Sequence, residues 1–202
     1  MTSPGLSSSD VAAALARVSA AMQDAAAELN AADGALGDGD LGITVSRGFA
    51  EAAAAPLPAD IGLAFMECAK AMQRVSSSSY GTLLATAFMA AAKATKGTAT
   101  FEPAAIPGLL DAALASMMAR GKGSLGDKTV LDTMDAMAKA TAGQPAEAMQ
   151  AAAETAARST LETFTGRPNR LGRARMFGDA SIGRPDPGQL AMLRIVEALG
   201  RR

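Results

Sequence analysis

The sequence predicts an all-α protein: a single domain over residues 1–202, built as an up-and-down bundle or closed barrel of about eight antiparallel helices. Three observations predict it. Apolar residues make up 49% of the chain, and roughly half of them are alanine, the strongest helix former. Aromatic residues stand at 3% with no tryptophan, so the side chains that a large sheet favours are scarce. Helix start and stop signals recur at even spacing with mostly short connections, which makes consecutive helices antiparallel neighbours. Leucine, isoleucine and 12 methionines are left to fill the core.

Each element follows from local signals. Ser8, Ser9 and Asp10 can cap a first helix that carries Val11, Leu15, Val18, Met22 and Leu29 at helical spacing and runs to about Asn30. A Gly/Asp-rich loop covers 31–42. A second helix runs from Ile43 to Ala55 and stops before Pro56 and Pro58. The third starts near Asp60 and ends at the serine run 76–79. The fourth begins near Gly81 and ends by Gly97. The fifth opens around Pro103 and Pro107 and ends at Arg120–Gly121. The sixth runs from Asp127 to Ala142, ahead of Gly143 and Pro145, and the seventh from Ala146 to Phe164. A long Arg- and Gly-rich loop spans Gly166 to Pro187. A last helix carries Leu190, Leu193, Val196 and Leu199.

Composition also excludes functions. With 19 basic and 20 acidic side chains, a globally basic nucleic-acid binder is not expected. The chain has no histidine, which removes every Ser-His-Asp and Cys-His mechanism and every imidazole metal site. Cys68 stands alone, so no intrachain disulfide is expected and a reducing compartment, the cytoplasm, is the default. No basic stretch precedes an apolar run at Met1–Pro4. The longest uncharged stretch, Val75 to Ala92, holds four serines and two threonines and reads as buried core, so no membrane association is expected.

Charge is uneven along the chain. Residues 1–60 hold eight acids and two bases, whereas residues 166–202 hold eight arginines and three acids. If the first and last loops share one end of the bundle, a cation site faces a phosphate-seeking arm. The plainer alternative is ordinary surface neutralisation.

Four loops carry candidate chemistry. In the first, Asp33, Asp38 and Asp40 are separated mostly by glycines, so the backbone can fold back and bring three carboxylates together. Converging carboxylates attract hard divalent cations, Mg²⁺ above all, whose shell phosphates complete. A calcium loop is excluded, because Gly42 and Phe49 stand where it needs side-chain oxygens. Simple turn chemistry is the alternative. In the second, Ser76–Ser79 precede a helix and offer hydroxyls and free N–H groups to a phosphate, or plain capping. The third, Arg120–Thr129, superficially resembles a P-loop. One residue is extra before Lys128–Thr129, and the required strand is missing, so that reading fails. A Gly-rich loop closing over a nucleotide, or a turn capped at Asp127, remains. In the fourth, Arg173 could stabilise charge on phosphoryl oxygens, while Asp186-Pro187-Gly188 reads as helix initiation.

These loops, in this order, resemble the nucleotide-binding L subunit of dihydroxyacetone kinase over nearly the whole chain. The most specific stretches are Leu29–Asn30 through Gly37-Asp38-Gly39-Asp40 to Phe49, Arg120-Gly121-Lys122 with Gly126-Asp127-Lys128-Thr129, and Gly172-Arg173-Ala174 with Asp186-Pro187-Gly188. The resemblance implies a barrel of eight antiparallel helices with a nucleotide, ADP or ATP, at one end. It implies two Mg²⁺ ions held by Asp33, Asp38 and Asp40. Leu41, Gly42, Ile43 and Thr44 would meet the phosphates and ribose, and Ser78 and Ser79 a phosphate. Gly121 and Val130 would line the adenine region. Arg173 would contact the phosphates, and Asp186, Pro187 and Gly188 would complete the nucleotide site.

The resemblance further implies that the sugar ketone is bound covalently to a histidine of a separate K subunit. The phosphoryl donor would be ATP, or an ADP recharged by a phosphotransferase-system protein. Three departures stand out: Leu41 where the family commonly has histidine, a four-serine run in place of a Gly-Gly-Ala-Ser-Gly type segment, and Gly178-Asp179-Ala180-Ser181 for Gly-Glu-Arg-Ser. A second reading is a catalytically silent nucleotide-binding module that regulates a partner such as a transcription factor. Homodimerisation through an Ala-rich face stays open.

Overall fold

The fold is that of a computed structural model, which describes residues 5–75 and 78–201. Eight α-helices dominate it: α1 (Ser8–Gly34), α2 (Leu41–Ala54), α3 (Ile61–Val75), α4 (Ser79–Thr95), α5 (Ile106–Gly121), α6 (Val130–Thr141), α7 (Ala146–Thr165) and α8 (Pro187–Gly200). Each helix packs against the next, and α8 closes on α1, so the helices form the antiparallel ring that the sequence predicts. A two-residue antiparallel pair, β1 (Leu6–Ser7) with β2 (Thr100–Phe101), lies outside that prediction. It ties the start of the chain to the connection between α4 and α5.

The capping residues correct several predicted boundaries. Ser7, not Ser8–Asp10, caps α1, and Asp10 returns the bond as the partner in a capping box. The helix then continues four residues past Asn30, carrying Asp33 into its last turn. Helix α6 starts at Val130 rather than Asp127, because Thr129 and Asp132 form the capping box there. The last loop is not irregular throughout, since Arg173–Ser181 winds into 3₁₀ turns kinked at Gly178. Asp186 caps α8 with Pro187 in its first turn, as the Asp-Pro-Gly signal implies.

Methionines and leucines fill the interior, among them Met22, Leu29, Val45, Met72, Met117, Leu131, Met134 and Met137. Phe49, Phe88, Phe65 and Phe101 form a chain of ring contacts at 6.3–6.4 Å that links α2, α4, α3 and β2. Cys68 is buried, and burial pushes its thiol up to about 12, so it acts as a small core residue. The α8–α1 seam is closed by Arg194, which forks onto Glu28 at 2.6 and 2.8 Å and also reaches Glu197. Among the described residues, no helix is long and apolar enough to cross a membrane.

Up-and-down order has one consequence for function. Helices α2, α4, α6 and α8 all begin at the same end of the ring, and all four candidate loops lie there. Their N-termini carry partial positive charge and spare N–H groups, a setting that favours anions.

Candidate functional site

The first loop folds back on the end of α1. Oδ2 of Asp33 accepts backbone N–H groups from Gly39 at 2.9 Å, Asp40 at 3.0 Å and Leu41 at 3.3 Å. That return requires a left-handed residue, and Gly39 supplies it with φ of +78°. The result brings one carboxylate oxygen each of Asp33, Asp38 and Asp40 within 4.8 Å of one another. Asp33 is half-buried, and the other two are exposed. Three hard oxygen donors open to solvent on one side fit a Mg²⁺ ion that keeps water or phosphate in its remaining positions.

Helix α2 begins at this loop. Ile43 N–H donates to Asn30 Oδ1 at 3.3 Å, which fixes the first turn of α2 against α1. Gly42 lies so close to α1 that a Cβ there would overlap the carbonyl oxygen of Ala26. The side chain of Leu41 turns into the core and Thr44 is buried, whereas Ile43 is exposed. Leu41 and Gly42 therefore offer a ligand their backbone rather than a side chain.

Across from this loop lies the Arg-rich segment. Arg173 makes an ion pair with Asp38, and Arg184 donates to the carbonyl of Ala35 at 3.1 Å. The acidic first loop and the basic last loop thus meet at one end of the ring. Arg167, Arg170 and Arg175 are also exposed there.

The remaining predicted residues fall into two groups. Ser78 caps α4, accepting from Gly81 N–H at 3.1 Å, and Ser79 is exposed in the first turn. Ser76 and Ser77 lie outside the described residues. Gly121 ends α5 against Leu83, and Val130 is buried at the start of α6. Asp186 is buried: its Oδ1 accepts from Gln189 N–H at 2.9 Å and its Oδ2 from Asn169 Nδ2 at 2.7 Å. Burial pushes its carboxyl up to about 6 despite these bonds and nearby Lys128. Gly188 packs on the ring of Tyr80, whose buried hydroxyl has no partner among the described residues. Asp186, Pro187 and Gly188 thus build the floor of this end.

Sequence reasoning missed the polar layer beneath the loops. Lys128 is fully buried, and its ammonium donates to backbone carbonyls of the last loop rather than reaching outward as a P-loop lysine does. Asn169 donates to the Lys128 carbonyl at 2.9 Å, and Gln189 to the Thr129 carbonyl at 3.2 Å. The only sequence signal was a Lys-Thr pair beside glycines, which spacing alone cannot assign.

Known proteins resemble the chain in sequence and in fold. The family described as the DAK2 domain matches residues 35–201. The chain is 31% identical over 186 residues to L-erythrulose 1-kinase of Mycolicibacterium smegmatis, covering 88% of this chain and 32% of that one. It is 28% identical to the ADP-binding subunit DhaL of the PEP-dependent dihydroxyacetone kinase of Escherichia coli, covering 85% of each. The dihydroxyacetone kinase of C. freundii, solved with AMP-PNP and Mg²⁺, superposes with a TM-score of 0.76 at 26% identity. That match covers 98% of this chain and 34% of that one. The chain therefore spans about a third of the two longer kinases and most of the stand-alone subunit.

Proposed function

The chain belongs to the DAK2 domain family, and from that premise we propose that it is the nucleotide-binding part of a small-ketose kinase. In this reading, residues 1–202 are one domain that passes a phosphoryl group to a dihydroxyacetone-type acceptor held on a separate K-type subunit. The observation that carries it is the convergence, at one end of the ring, of the Asp33–Asp38–Asp40 trio, Arg173 and four helix N-termini. Kinases among the relatives support a phosphotransferase role.

Asp33, Asp38 and Asp40 would hold two Mg²⁺ ions, which supply neutralisation of phosphate charge. Asp33 sets the loop through its three backbone bonds, which leaves its second oxygen and the exposed Asp38 and Asp40 for ligation. The first turns of α2 and α4 present N–H groups and the positive ends of their dipoles to phosphates, through Leu41–Thr44 and Ser78–Ser79. Gly121 and Val130 would border the adenine. Arg173, an exposed side chain paired only at the surface, would exchange Asp38 for the transferring phosphoryl oxygens, where charge develops. No residue here need act as a proton carrier, in keeping with the absence of histidine.

The names of the stand-alone relatives, PEP- or PTS-dependent and ADP-binding, favour a resident ADP recharged by a phosphotransferase-system donor; the same reading sets the chain in the cytoplasm. The erythrulose kinase keeps four-carbon ketoses in view as acceptors. The test is the nucleotide content of the freshly purified chain, read by chromatography after acid denaturation. Near-stoichiometric ADP supports the recharged form, and an empty chain that takes up ATP only with Mg²⁺ supports direct use of ATP. A chain that binds neither overturns the reading. With a K-type subunit and several ketoses present, Asp38→Ala should lower turnover by more than about 100-fold. Nucleotide binding without turnover for any ketose would favour the regulatory-module reading.

A further inference from the structure

Lys128 is completely buried, yet no carboxylate is among its hydrogen-bond partners. Its Nζ donates to the backbone carbonyls of Arg167 at 2.8 Å, Ser181 at 2.9 Å and Arg184 at 2.8 Å. An ammonium has three donors and no acceptor, so the three carbonyls use it fully. Arg167 lies where the chain enters the last loop and Arg184 where it leaves. One nitrogen thus joins both sides of the loop's neck and a third point inside it. The backbone of Lys128 adopts φ of +60°, a left-handed conformation that a lysine holds only when its surroundings over-determine it.

A second layer repeats the connection. Asn169 Nδ2 donates to the Lys128 carbonyl and to Asp186, and Asn169 N–H donates to Ser181 Oγ at 2.8 Å. Everything between the neck positions is otherwise loosely built: 3₁₀ turns, a kink at Gly178, and exposed Arg173, Arg175, Met176 and Phe177. Burying an ammonium is costly even against three carbonyls and the field of nearby Asp186, and fixing a geometry is one use for which such a group is kept. Tying the ends of a loop removes conformations from every residue within it.

We propose that Lys128 is a positioning residue for the site: its ammonium closes the neck of the 167–184 loop and thereby holds Arg173 opposite the Asp33–Asp38–Asp40 loop. The proposal rests on the reading of that end as a Mg-nucleotide site. It differs from a phosphate-binding role for Lys128, because the side chain is fully buried and all three of its N–H donors are taken by carbonyls.

The test uses the full chain and three variants, Lys128→Met, Arg173→Ala and the two combined. Amide hydrogen exchange across 167–184 should quicken at least about tenfold in Lys128→Met while α1–α6 keep their protection. Calorimetry with MgADP should show about tenfold weaker binding for Lys128→Met. The double variant should bind within about twofold of Arg173→Ala, because a residue that acts through Arg173 loses nothing once Arg173 is gone. Losses that multiply, or unchanged exchange in the loop, overturn the proposal.

Should Lys128→Met not fold, the unaltered chain still decides the geometry. The other five lysines are exposed, so ¹⁵N spectra at neutral pH should show a single slowly exchanging ammonium. Its absence overturns the neck. Failure of the unaltered chain to bind MgADP would overturn the nucleotide reading and leave the exchange and ammonium experiments to judge the neck alone.

Discussion

Asp186 is where three demands fall on one carboxylate. It caps α8, anchors Asn169 and faces the field of Lys128, all while buried. Burial raises its pKa from 3.8 to about 6, so the folded protein holds a proton that the unfolded chain has already released. Its contribution to stability is full below about 4 and is lost as pH rises through about 6. Urea unfolding of wild type and Asp186→Asn at pH 4, 5, 6 and 7 should show the wild type losing ground to the variant across that window and no further change above it. Site residues near in sequence are the legible ones. Asp33, Asp38 and Asp40 span one loop, and glycine between them announces the fold-back. Lys128 was not legible as a neck residue, because its three partners are carbonyls 39, 53 and 56 residues away, and carbonyls have no sequence signature.

Helices obey rules the sequence displays, and their contacts obey rules it hides. Alanine content and Pro/Gly punctuation suffice for eight helices in order. The ends moved by a few residues wherever two capping residues compete, as Asp127 and Thr129 do before α6. Asp127 instead accepts from Ser124 N–H at 2.8 Å, closing the turn before the helix. Close approach between α1 and α2 was equally invisible, since Gly42 reads from sequence as a loop glycine. In the fold it lets the two backbones touch. Gly42→Ala should therefore cost about 3 kcal/mol by overpacking, measured by denaturant unfolding. It should also weaken MgADP binding, because α2 carries Leu41–Thr44. An alanine tolerated at that position would contradict the close approach.

At the scale of the molecule, the ring separates packing from chemistry. Its interior is apolar, its far end carries the β1–β2 pair and short connections, and the four loops at the near end set the acidic trio against the arginines. Exposed apolar side chains gather at this end too: Met176, Phe177, Ile182 and Leu125 are 77%, 39%, 45% and 44% exposed. Arginines stand around them. Such a mixed patch suits a protein partner with an apolar face and an acidic rim, the setting in which a K-type subunit would offer its ketose. Phe177→Asp should weaken association with that subunit at least about tenfold in a titration. MgADP binding should stay unchanged. The even helix spacing foretells the ring, and counting its eight antiparallel passes puts the four loops at one end; the contacts that join them across that end are seen only in the fold.

The Arg173–Asp38 pair has a thermodynamic corollary. A cation entering the carboxylate trio competes with a guanidinium that belongs to the same molecule, so the apparent affinity for bare Mg²⁺ is lowered by the fraction of molecules in which the pair is closed. Both partners are well exposed, so the handicap is a few-fold at most. Removing the arginine should then move two isotherms in opposite directions: Arg173→Ala binds the bare metal slightly more tightly and the metal–nucleotide complex less tightly. In the proposed reading the chain would carry its own weak inhibitor, and the nucleotide that draws on the arginine would also relieve it.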